Sequence, residues 1–292
     1  MAIHEIQAKT LLSSTAHPDT LFGCRYNMNL YRGCQHRCIY CDSRSECYQI
    51  ERFDDDVLVK VNAIELLRDE LSRKRIKGPI SLGSMNDPFM PLEAEINLSG
   101  RALAVIAEFR FPIHIITKSA IILKDLDTIK EIARTYASIS FTITTTDDDL
   151  AAKVEPFASR PSERLAAMRI LAENGVQTGT TMMPILPFIE DNEENIEAIV
   201  AKTAEAGGSY IIPGLGMTMR NRQRAYYYDR LDELFPGLRE QYVRTFGDRY
   251  ECHSPRERQL WPFFQQCCLR YGIAPRIPLY APQTAKQLPL FR

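Results

Sequence analysis

The sequence lacks the long apolar runs and the cysteine density that define several protein classes. No window approaches the roughly 20 apolar residues that a membrane-spanning helix needs. No secretory signal is recognisable, and 8 cysteines among 292 residues are too few for a disulfide-stapled secreted domain. We therefore expect free thiols in a reducing cytoplasm and no membrane partner.

An excess of positive charge is also missing. The net charge of −1 gives no general signature of a nucleic-acid partner. Basic runs at 73–77 (RKRIK) and 220–224 (RNRQR) are of a kind that is commonly solvated. Arginine and tyrosine alternate over 219–251, as in surfaces that hold nucleic acid through phosphate contacts and stacking. An amphipathic capping helix, with tyrosines on the core and arginines in water, explains the same pattern and is favoured because the whole chain is not basic.

Strand and helix signals alternate along most of the chain. We expect residues 1–20 to form an irregular lead-in. Strands are then predicted at 21–31, 79–84, 111–119, 137–145, 176–186 and 209–215. Helices are predicted at 61–76, 98–109, 122–135, 162–175 and 192–207. This alternation predicts an α/β fold in which residues 21–216 form a partial (β/α)6 barrel of the TIM type, with 217–292 as a C-terminal cap or extension.

Three cysteines lie close together in one short loop. Cys34 and Cys38 have three residues between them, and Cys38 and Cys41 have two. Thiolates at this spacing can hold three irons of a [4Fe–4S] cluster, and no fourth cysteine follows at a matching interval, so the fourth iron would be open to a ligand other than protein. A structural zinc site that adds His36 to the three cysteines stays open, although zinc ribbons use two well-separated ligand pairs.

The loops that follow the predicted strands carry most of the remaining polar signals. In barrels of this type, chemistry takes place on loops leaving the C-terminal ends of the strands. The cysteine loop follows the first strand, and 83–89, 117–119, 144–149 and 182–187 follow later ones. These segments are therefore predicted to meet at one face of the barrel.

The cysteine spacing, with Tyr40 just before the last cysteine, resembles the radical SAM superfamily, and more narrowly its spore photoproduct lyase-like (DNA repair photolyase-like) branch. The resemblance covers roughly residues 22–215. It rests on segments that are specific to the branch only as a set, namely 31–41 (YRGCQHRCIYC), 83–93 (GSMNDPFMPLE), 116–119 (ITKS), 154–176 and 182–196.

This resemblance implies a cofactor system. The three cysteines would bind a [4Fe–4S] cluster whose fourth iron is chelated by S-adenosylmethionine. Reductive cleavage of that cofactor would give a 5′-deoxyadenosyl radical, which abstracts a hydrogen atom from a substrate that the sequence does not identify. An electron donor such as a flavodoxin or ferredoxin is implied, and nucleic acid is among the candidate substrates.

Candidate contacts for the methionine part of the cofactor come from two strand ends. Lys118 is expected to supply a cation for its carboxylate. Ser84 and Asn86 are expected to hydrogen-bond its amino or carboxylate group. The structural alternatives are a solvated lysine and an Asn-Asp-Pro turn with local hydrogen bonds.

The nucleoside part of the cofactor has its own candidates. Ser140 and Thr142, on one face of the fourth strand, are candidates for the ribose hydroxyls, although strand packing explains them equally well. Tyr40 is expected to pack beside the adenine, with the backbone around Met183 and Pro184 as a further wall.

Two residues depart from the pattern of the spore photoproduct lyases. Ser84 stands where those lyases have a cysteine that donates a hydrogen atom to the product radical, and a serine O–H bond is too strong for that role. Asp42 stands where a tyrosine is expected after the last cluster cysteine. Both differences disfavour thymine-dimer repair and leave the cofactor machinery intact. A DNA-repair lyase and a non-catalytic binding protein stabilised by zinc or iron–sulfur remain as alternatives.

The other cysteines show no recognisable ligand spacing. Cys252, Cys267 and Cys268 are candidates for an auxiliary cluster, but buried free thiols that pack as small hydrophobes are the default. We expect these three, with Cys24 and Cys47, to be core residues.

Overall fold

Strands and helices alternate along the computed structural model, which describes residues 1–282. Its strands are β1 (Ala2–Ile6), β2 (Leu12–Ser14), β3 (Tyr26–Met28), β4 (Tyr31–Arg32), β5 (Asp56–Lys60), β6 (Ile80–Leu82), β7 (Ile113–Thr117), β8 (Ala137–Thr142), β9 (Gln177–Met182), β10 (Tyr210–Pro213), β11 (Gly216–Thr218) and β12 (Glu251–His253). Its α-helices are α1 (Ala63–Arg73), α2 (Glu93–Ile96), α3 (Leu98–Glu108), α4 (Leu126–Ala133), α5 (Asp148–Val154), α6 (Pro161–Glu173), α7 (Glu193–Glu205), α8 (Asn221–Leu234), α9 (Leu238–Phe246) and α10 (Glu257–Tyr271). Short 3-10 helices lie at Asp42–Arg44, Glu46–Tyr48 and Ala120–Asp125.

The main sheet has the order β10-β9-β8-β7-β6-β3-β2. Its first six strands are mutually parallel and follow one another in chain order, whereas β2 pairs antiparallel with β3 at the edge. Such a succession, with a helix between most neighbouring strands, is a partial TIM-type barrel. The predicted fold class is therefore confirmed.

Strand β8 shows why this sheet has two buried faces. All six of its residues are buried. Ile139 and Phe141 belong to the main hydrophobic core, while Ser138 and Ser140 bond the Tyr210 hydroxyl on the opposite face. Alternate strand residues point to opposite faces, so the barrel interior is polar at β8 and the helix-facing side is apolar.

Local sequence signals set the ends of the predicted helices. Helix α6 begins with Pro161 at its first position, and the Glu163 carboxylate accepts a 2.7 Å hydrogen bond from the Arg160 N–H. Gly175, with φ of +77°, follows its last turn. At α7 the Asn192 side chain accepts a 2.9 Å hydrogen bond from the Asn195 N–H.

The expected irregular lead-in over 1–20 is wrong. Strand β1 pairs parallel with β5 in a small sheet of order β1-β5-β4, and β2 pairs with β3. Most of β1 is exposed, so it lacks the apolar alternation by which a strand is recognised. The strand predicted at 21–31 is divided into β3 and β4. Helix α5 begins within 144–149, a segment predicted to be a loop, and continues past it. At its start the Asp147 carboxylate accepts hydrogen bonds from two backbone N–H groups.

Beyond residue 216 the chain forms the β11–β12 pair and helices α8, α9 and α10. Helix α10 packs on α7, where Gln259 Nε2 lies 2.6 Å from Glu193 Oε1. Tyr227 and Tyr228 are buried as the capping-helix interpretation expects, but the arginines of 220–224 bond protein atoms and are only partly exposed. Residues 283–292 of the predicted extension lie outside the described residues. No helix within 1–282 is long and apolar enough to cross a membrane.

Candidate cofactor site

A cavity of about 500 Å³ opens at the C-terminal ends of the parallel strands. That volume lies within the usual range for small-molecule sites. The predicted site residues that line it are Cys34, Cys38, Cys41, Tyr40, Ser84, Asn86, Lys118, Thr142 and Met183. Residues from five separate segments of the chain thus meet at one face, as the strand–loop pattern predicts.

The cysteine loop begins with a tight turn at Gly33. Its φ is +88°, and a Cβ there would lie 2.5 Å from the Asp56 carbonyl oxygen, so only glycine fits. Cys34 and Cys38 are buried. Burial raises the pKa of Cys34 to about 12 and that of Cys38 well above its ordinary value. Metal-free protein therefore holds these two thiols protonated, and binding of iron would release their protons.

His36 also lines the cavity, but its imidazole is held by protein groups. Nδ1 lies 3.0 Å from the Phe157 carbonyl oxygen, and Nε2 lies 3.1 Å from Asp87 Oδ2. Both nitrogens face protein oxygens, an arrangement that disfavours His36 as the fourth ligand of a zinc site. Within residues 1–282, no three His, Cys, Asp or Glu side chains converge closely enough to bind one metal ion together.

Asp87 links three walls of the cavity. Its carboxylate accepts hydrogen bonds from the Thr117 hydroxyl (2.7 Å), the Lys118 N–H (2.6 Å) and the Phe89 N–H (2.8 Å). Burial opposes its charge, but His36 and these donors outweigh burial and lower the pKa of Asp87 to about 2. The sequence reasoning treated Asp87 only as part of an Asn-Asp-Pro turn, because its partners are distant in the chain.

Lys118 and Asn86 present polar groups to the cavity. Among residues 1–282, no oxygen accepts a hydrogen bond from Lys118 Nζ, which lies 5.8 Å from the centroid of the Tyr40 ring. Burial opposes the charge of the lysine, but Cys38 in its thiolate form and the Glu155 carboxylate outweigh burial and raise the pKa of Lys118. The buried Asn86 amide likewise has no hydrogen-bond partner within 1–282. A cation and an amide are thus available to a ligand.

A buried ion pair supports the wall behind Tyr40. The Tyr40 hydroxyl donates to Glu155 Oε1, and Arg164 Nη2 lies 2.5 Å from Glu155 Oε2. Arg164 also donates to the Thr142 carbonyl at 2.8 Å. Burial acts against ionised Glu155, but Arg164 and Lys118 outweigh it and lower the pKa of the carboxyl. Sequence reasoning missed this pair, since neither residue has a local signal of burial.

Ser140 and Thr142 do not occupy equivalent positions. Thr142 lines the cavity, with Oγ1 3.0 Å from Thr181 Oγ1. Ser140 does not line it, and its Oγ lies 2.7 Å from the Tyr210 hydroxyl and 2.8 Å from His114 Nε2. Residues two apart on a strand share a face but lie about 6.6 Å apart along it, so Ser140 sits deeper in the barrel. The predicted ribose contact at Ser140 is not supported.

The rim holds both residues that depart from the lyase pattern. Ser84 is exposed, and its hydroxyl lies 3.0 Å from Asn27 Oδ1. Asp42 accepts a 3.0 Å hydrogen bond from the Tyr48 hydroxyl, and Tyr48 lines the cavity as well. Sequence reasoning missed Tyr48 because it ends the second of two 3-10 helices whose direction has no sequence signature.

On the opposite wall, Met183 is brought close by Gly214. A Cβ at Gly214 would lie 2.7 Å from Met183 Cβ, so this approach needs glycine. The other cysteines do not line the cavity. Cys267 and Cys268 belong to the main core, and Cys252 belongs to the apolar cluster that also contains Cys38 and Tyr40. Cys47 is exposed, contrary to expectation.

Comparison with known proteins gives one consistent family. Residues 28–201 match the family model of the Radical SAM superfamily. An uncharacterized protein of Mycobacterium tuberculosis is 28% identical over 287 residues, which are 96% of this chain and 81% of that protein. One of Methanocaldococcus jannaschii is 29% identical over 235 residues, or 80% of this chain and 85% of that protein. A radical SAM Nα-GlyT isomerase of Pseudomonas phage M6 is 24% identical over 156 residues, covering 53% of this chain and 32% of that protein.

Solved structures support the same relationship at the level of fold. Spore photoproduct lyase in complex with dinucleoside spore photoproduct matches with a TM-score of 0.70 and 17% identity, covering 92% of this chain and 79% of that chain. A double mutant of that lyase with bound AdoMet matches with a TM-score of 0.69 and 15% identity, covering 92% and 78%. The family model confirms the superfamily resemblance seen in the sequence, and the solved structures confirm the fold.

Proposed function

Because the chain belongs to the radical SAM superfamily, whose members use a [4Fe–4S] cluster and S-adenosylmethionine, we propose that it is an enzyme that cleaves this cofactor reductively. Cys34, Cys38 and Cys41 would hold the cluster. The observation that carries the proposal is that all three cysteines line the same cavity as Lys118 and Asn86. Three soft thiolates suit iron–sulfur, and the cation and amide suit an amino acid moiety.

When bound, the cluster and S-adenosylmethionine supply a one-electron cleavage of the C5′–S bond and a 5′-deoxyadenosyl radical that abstracts a hydrogen atom from the substrate. The protein supplies binding, orientation and exclusion of water. Lys118 holds the cofactor carboxylate, and Asn86, with Ser84 at the rim, hydrogen-bonds its amino or carboxylate group. An external donor such as a flavodoxin or ferredoxin delivers the electron.

The nucleoside part of the cofactor would meet three other walls. Tyr40 and Met183 enclose the adenine, and Thr142 bonds a ribose hydroxyl. Tyr40 suits this role because Glu155 accepts a hydrogen bond from its hydroxyl, which fixes where the ring lies in the cavity wall. We further propose that residues 21–216 form the catalytic barrel, with 217–292 as its extension.

We do not assign the substrate to DNA. The O–H bond of Ser84 at the rim is too strong for its hydrogen atom to be donated to a carbon radical. Arg222 and Arg224 donate to backbone carbonyls, so neutralising them tests the fold and not nucleic-acid binding. Binding of duplex and single-stranded DNA at physiological salt, with no substitution, is the sound test of the lyase alternative.

The decisive experiment is anaerobic reconstitution with iron and sulfide, followed by reduction in the presence of S-adenosylmethionine. We expect iron and sulfide in the protein and release of 5′-deoxyadenosine. Cys38→Ala should abolish both, whereas Cys47→Ala, at an exposed cysteine outside the cavity, should retain both. Anaerobic handling is required because an accessible iron–sulfur cluster degrades in oxygen and leaves thiols that are then oxidised.

The same preparation distinguishes a metal-stabilised binding protein. That alternative predicts one tightly bound zinc and no visible chromophore, which elemental analysis would show. A cluster that never cleaves S-adenosylmethionine would reject the proposed activity.

A further inference from the structure

In the first turn of α8, the guanidinium group of Arg222 is hydrogen-bonded to the backbone of the cysteine loop. Arg222 Nε donates to the Arg44 carbonyl at 2.8 Å, Nη1 to the Glu51 carbonyl at 3.0 Å and Nη2 to the Ile50 carbonyl at 2.6 Å. Three donors of one rigid planar group thus fix three carbonyls relative to α8.

The next residue of α8 adds a second connection. The side chain of Gln223 is fully buried, and Nε2 donates to the Tyr40 carbonyl at 3.1 Å and to the Thr218 carbonyl at 3.0 Å. Its Oε1 accepts a 2.8 Å hydrogen bond from the Arg220 N–H. Tyr40 directly precedes Cys41, so this amide holds the peptide that joins Tyr40 to the last cluster cysteine.

An aromatic contact makes a third connection. The Arg44 guanidinium carbon lies 3.6 Å from the centroid of Tyr226 on α8 and 4.7 Å from that of Phe53. Arg44 is buried and pairs with Asp54. Its side chain therefore anchors the loop between α8 and the segment before β5.

The loop has little regular structure with which to hold itself. Between Cys41 and Ile50 it forms only the 3-10 helices Asp42–Arg44 and Glu46–Tyr48. Backbone carbonyls that leave water need donors, and here α8 supplies them. We propose that Arg222 and Gln223 are positioning residues for the cluster, holding the loop so that Cys38 and Cys41 face the cavity.

This proposal depends on the proposed function for the presence of a cluster. The geometry of the loop and α8 depends only on the observed contacts. It makes the segment beyond residue 217 part of the cofactor site, although the family match ends earlier in the chain. The C-terminal extension would then be needed for cofactor retention as well as for the shape of the cavity.

The chain supplies a matched control on the same helix. Arg224 also donates to three carbonyls, those of Met219 (3.0 Å), Arg249 (2.6 Å) and Gly247. All three belong to the C-terminal segment. Arg222→Ala and Arg224→Ala therefore remove the same kind of contact, but only the first releases the cysteine loop.

Amide hydrogen exchange of the metal-free protein tests the geometry. We expect Arg222→Ala and Gln223→Ala to accelerate exchange over 38–51 by about tenfold or more, and Arg224→Ala to leave that segment within about twofold of the wild type. Equal acceleration over 38–51 by Arg222→Ala and Arg224→Ala would overturn the proposal. If Arg222→Ala does not fold, Arg222→Lys, which keeps the charge but not the three-pronged geometry, should accelerate the same segment.

Iron retention tests the role. After anaerobic reconstitution, Arg222→Ala should lose iron to a chelator about 10- to 100-fold faster than Arg224→Ala, in line with other residues that support metal ligands. The paramagnetic resonance signal of its reduced cluster should change as well, which a general loss of stability would not cause. Equal iron loss and unchanged signals reject the role. A wild-type protein that takes up no cluster rejects the proposed function, while hydrogen exchange still decides whether Arg222 and Gln223 hold the loop.

Discussion

Arg164 Nη2 lies 2.5 Å from Glu155 Oε2, and each of the two side chains is only 1% exposed. Arg164 also donates to the carbonyl of Thr142, the last residue of β8, and the Tyr40 hydroxyl donates to the other oxygen of the Glu155 carboxylate. The ion pair therefore joins the end of β8 to Tyr40. Ions taken out of water are stable only when they are paired and hydrogen-bonded. The wall of the cavity therefore depends on an ion pair between Arg164 and Glu155, neither of which lines the cavity.

Arg164→Met should leave the Glu155 carboxylate buried without its principal cation. We expect the free energy of unfolding of the metal-free protein, measured with urea, to fall by about 3–5 kcal/mol. Adding Glu155→Gln should restore part of the loss, since it removes the uncompensated charge. As a control, Lys202→Met breaks an exposed pair with Glu205 and should cost less than about 1 kcal/mol. An Arg164→Met variant as stable as the Lys202→Met variant would contradict the importance of the buried pair.

Glu190 should make stability decline with rising pH. Its buried carboxyl accepts hydrogen bonds from the Thr144 hydroxyl (2.8 Å) and the Leu186 N–H (2.9 Å). Burial first, and Glu155 and Asp191 in addition, raise the pKa of Glu190 well above its ordinary value of 4.5. The ordinary pKa of 4.5 applies to the unfolded chain and the raised pKa to the folded protein. At a pH between the two, Glu190 is protonated in the folded protein and ionised in the unfolded chain. Its contribution to stability is full below pH 4.5 and then falls with rising pH by at most about 1.4 kcal/mol per unit.

Glu190→Gln removes this titration and keeps the shape of the side chain. The stability of the variant relative to wild type should therefore improve from pH 5 to about pH 8. Urea unfolding of both metal-free proteins at the two pH values measures the change. A stability difference that is the same at both would show that Glu190 does not titrate between them.

Lys118→Met should weaken the binding of S-adenosylmethionine without loss of the cluster. Removing a charged hydrogen bond to the cofactor carboxylate is expected to raise the Kd about 10- to 100-fold. Equilibrium binding to anaerobically reconstituted protein, together with iron analysis, separates the two effects. Lys153→Met, at an exposed residue of α5, is the control and should bind as the wild type does. Unchanged affinity in Lys118→Met would exclude the lysine as the carboxylate partner.

Ser140→Ala and Asn86→Ala should separate packing from cofactor binding. Ser140 bonds Tyr210 and His114 inside the barrel, so its loss should cost about 1 kcal/mol of stability and leave the Kd for S-adenosylmethionine unchanged. Asn86 lines the cavity, so its loss should weaken cofactor binding. If Ser140→Ala weakened binding as much as Asn86→Ala, the deeper placement of Ser140 would be wrong for the working enzyme.

Particular elements show where sequence reasoning succeeds. The six parallel strands follow from apolar segments at regular intervals, and the start of α6 from Pro161. Strand β1 escapes detection because most of it is exposed and its partner β5 lies about 50 residues away. The sequence pattern places Ser140 on the same face of β8 as Thr142 but does not give its depth, since depth depends on how strands are staggered across the barrel.

The sequence by itself determined the donor chemistry and the fold class. Both are local properties, because cysteine spacing and the alternation of strands and helices are read within short windows. Only the tertiary structure decided that His36 is held by Asp87, that Ser140 lies below the cavity and that Arg222 holds the cysteine loop. Arg222 and Arg44 are 178 positions apart, and no local pattern encodes a contact that arises when distant segments pack together.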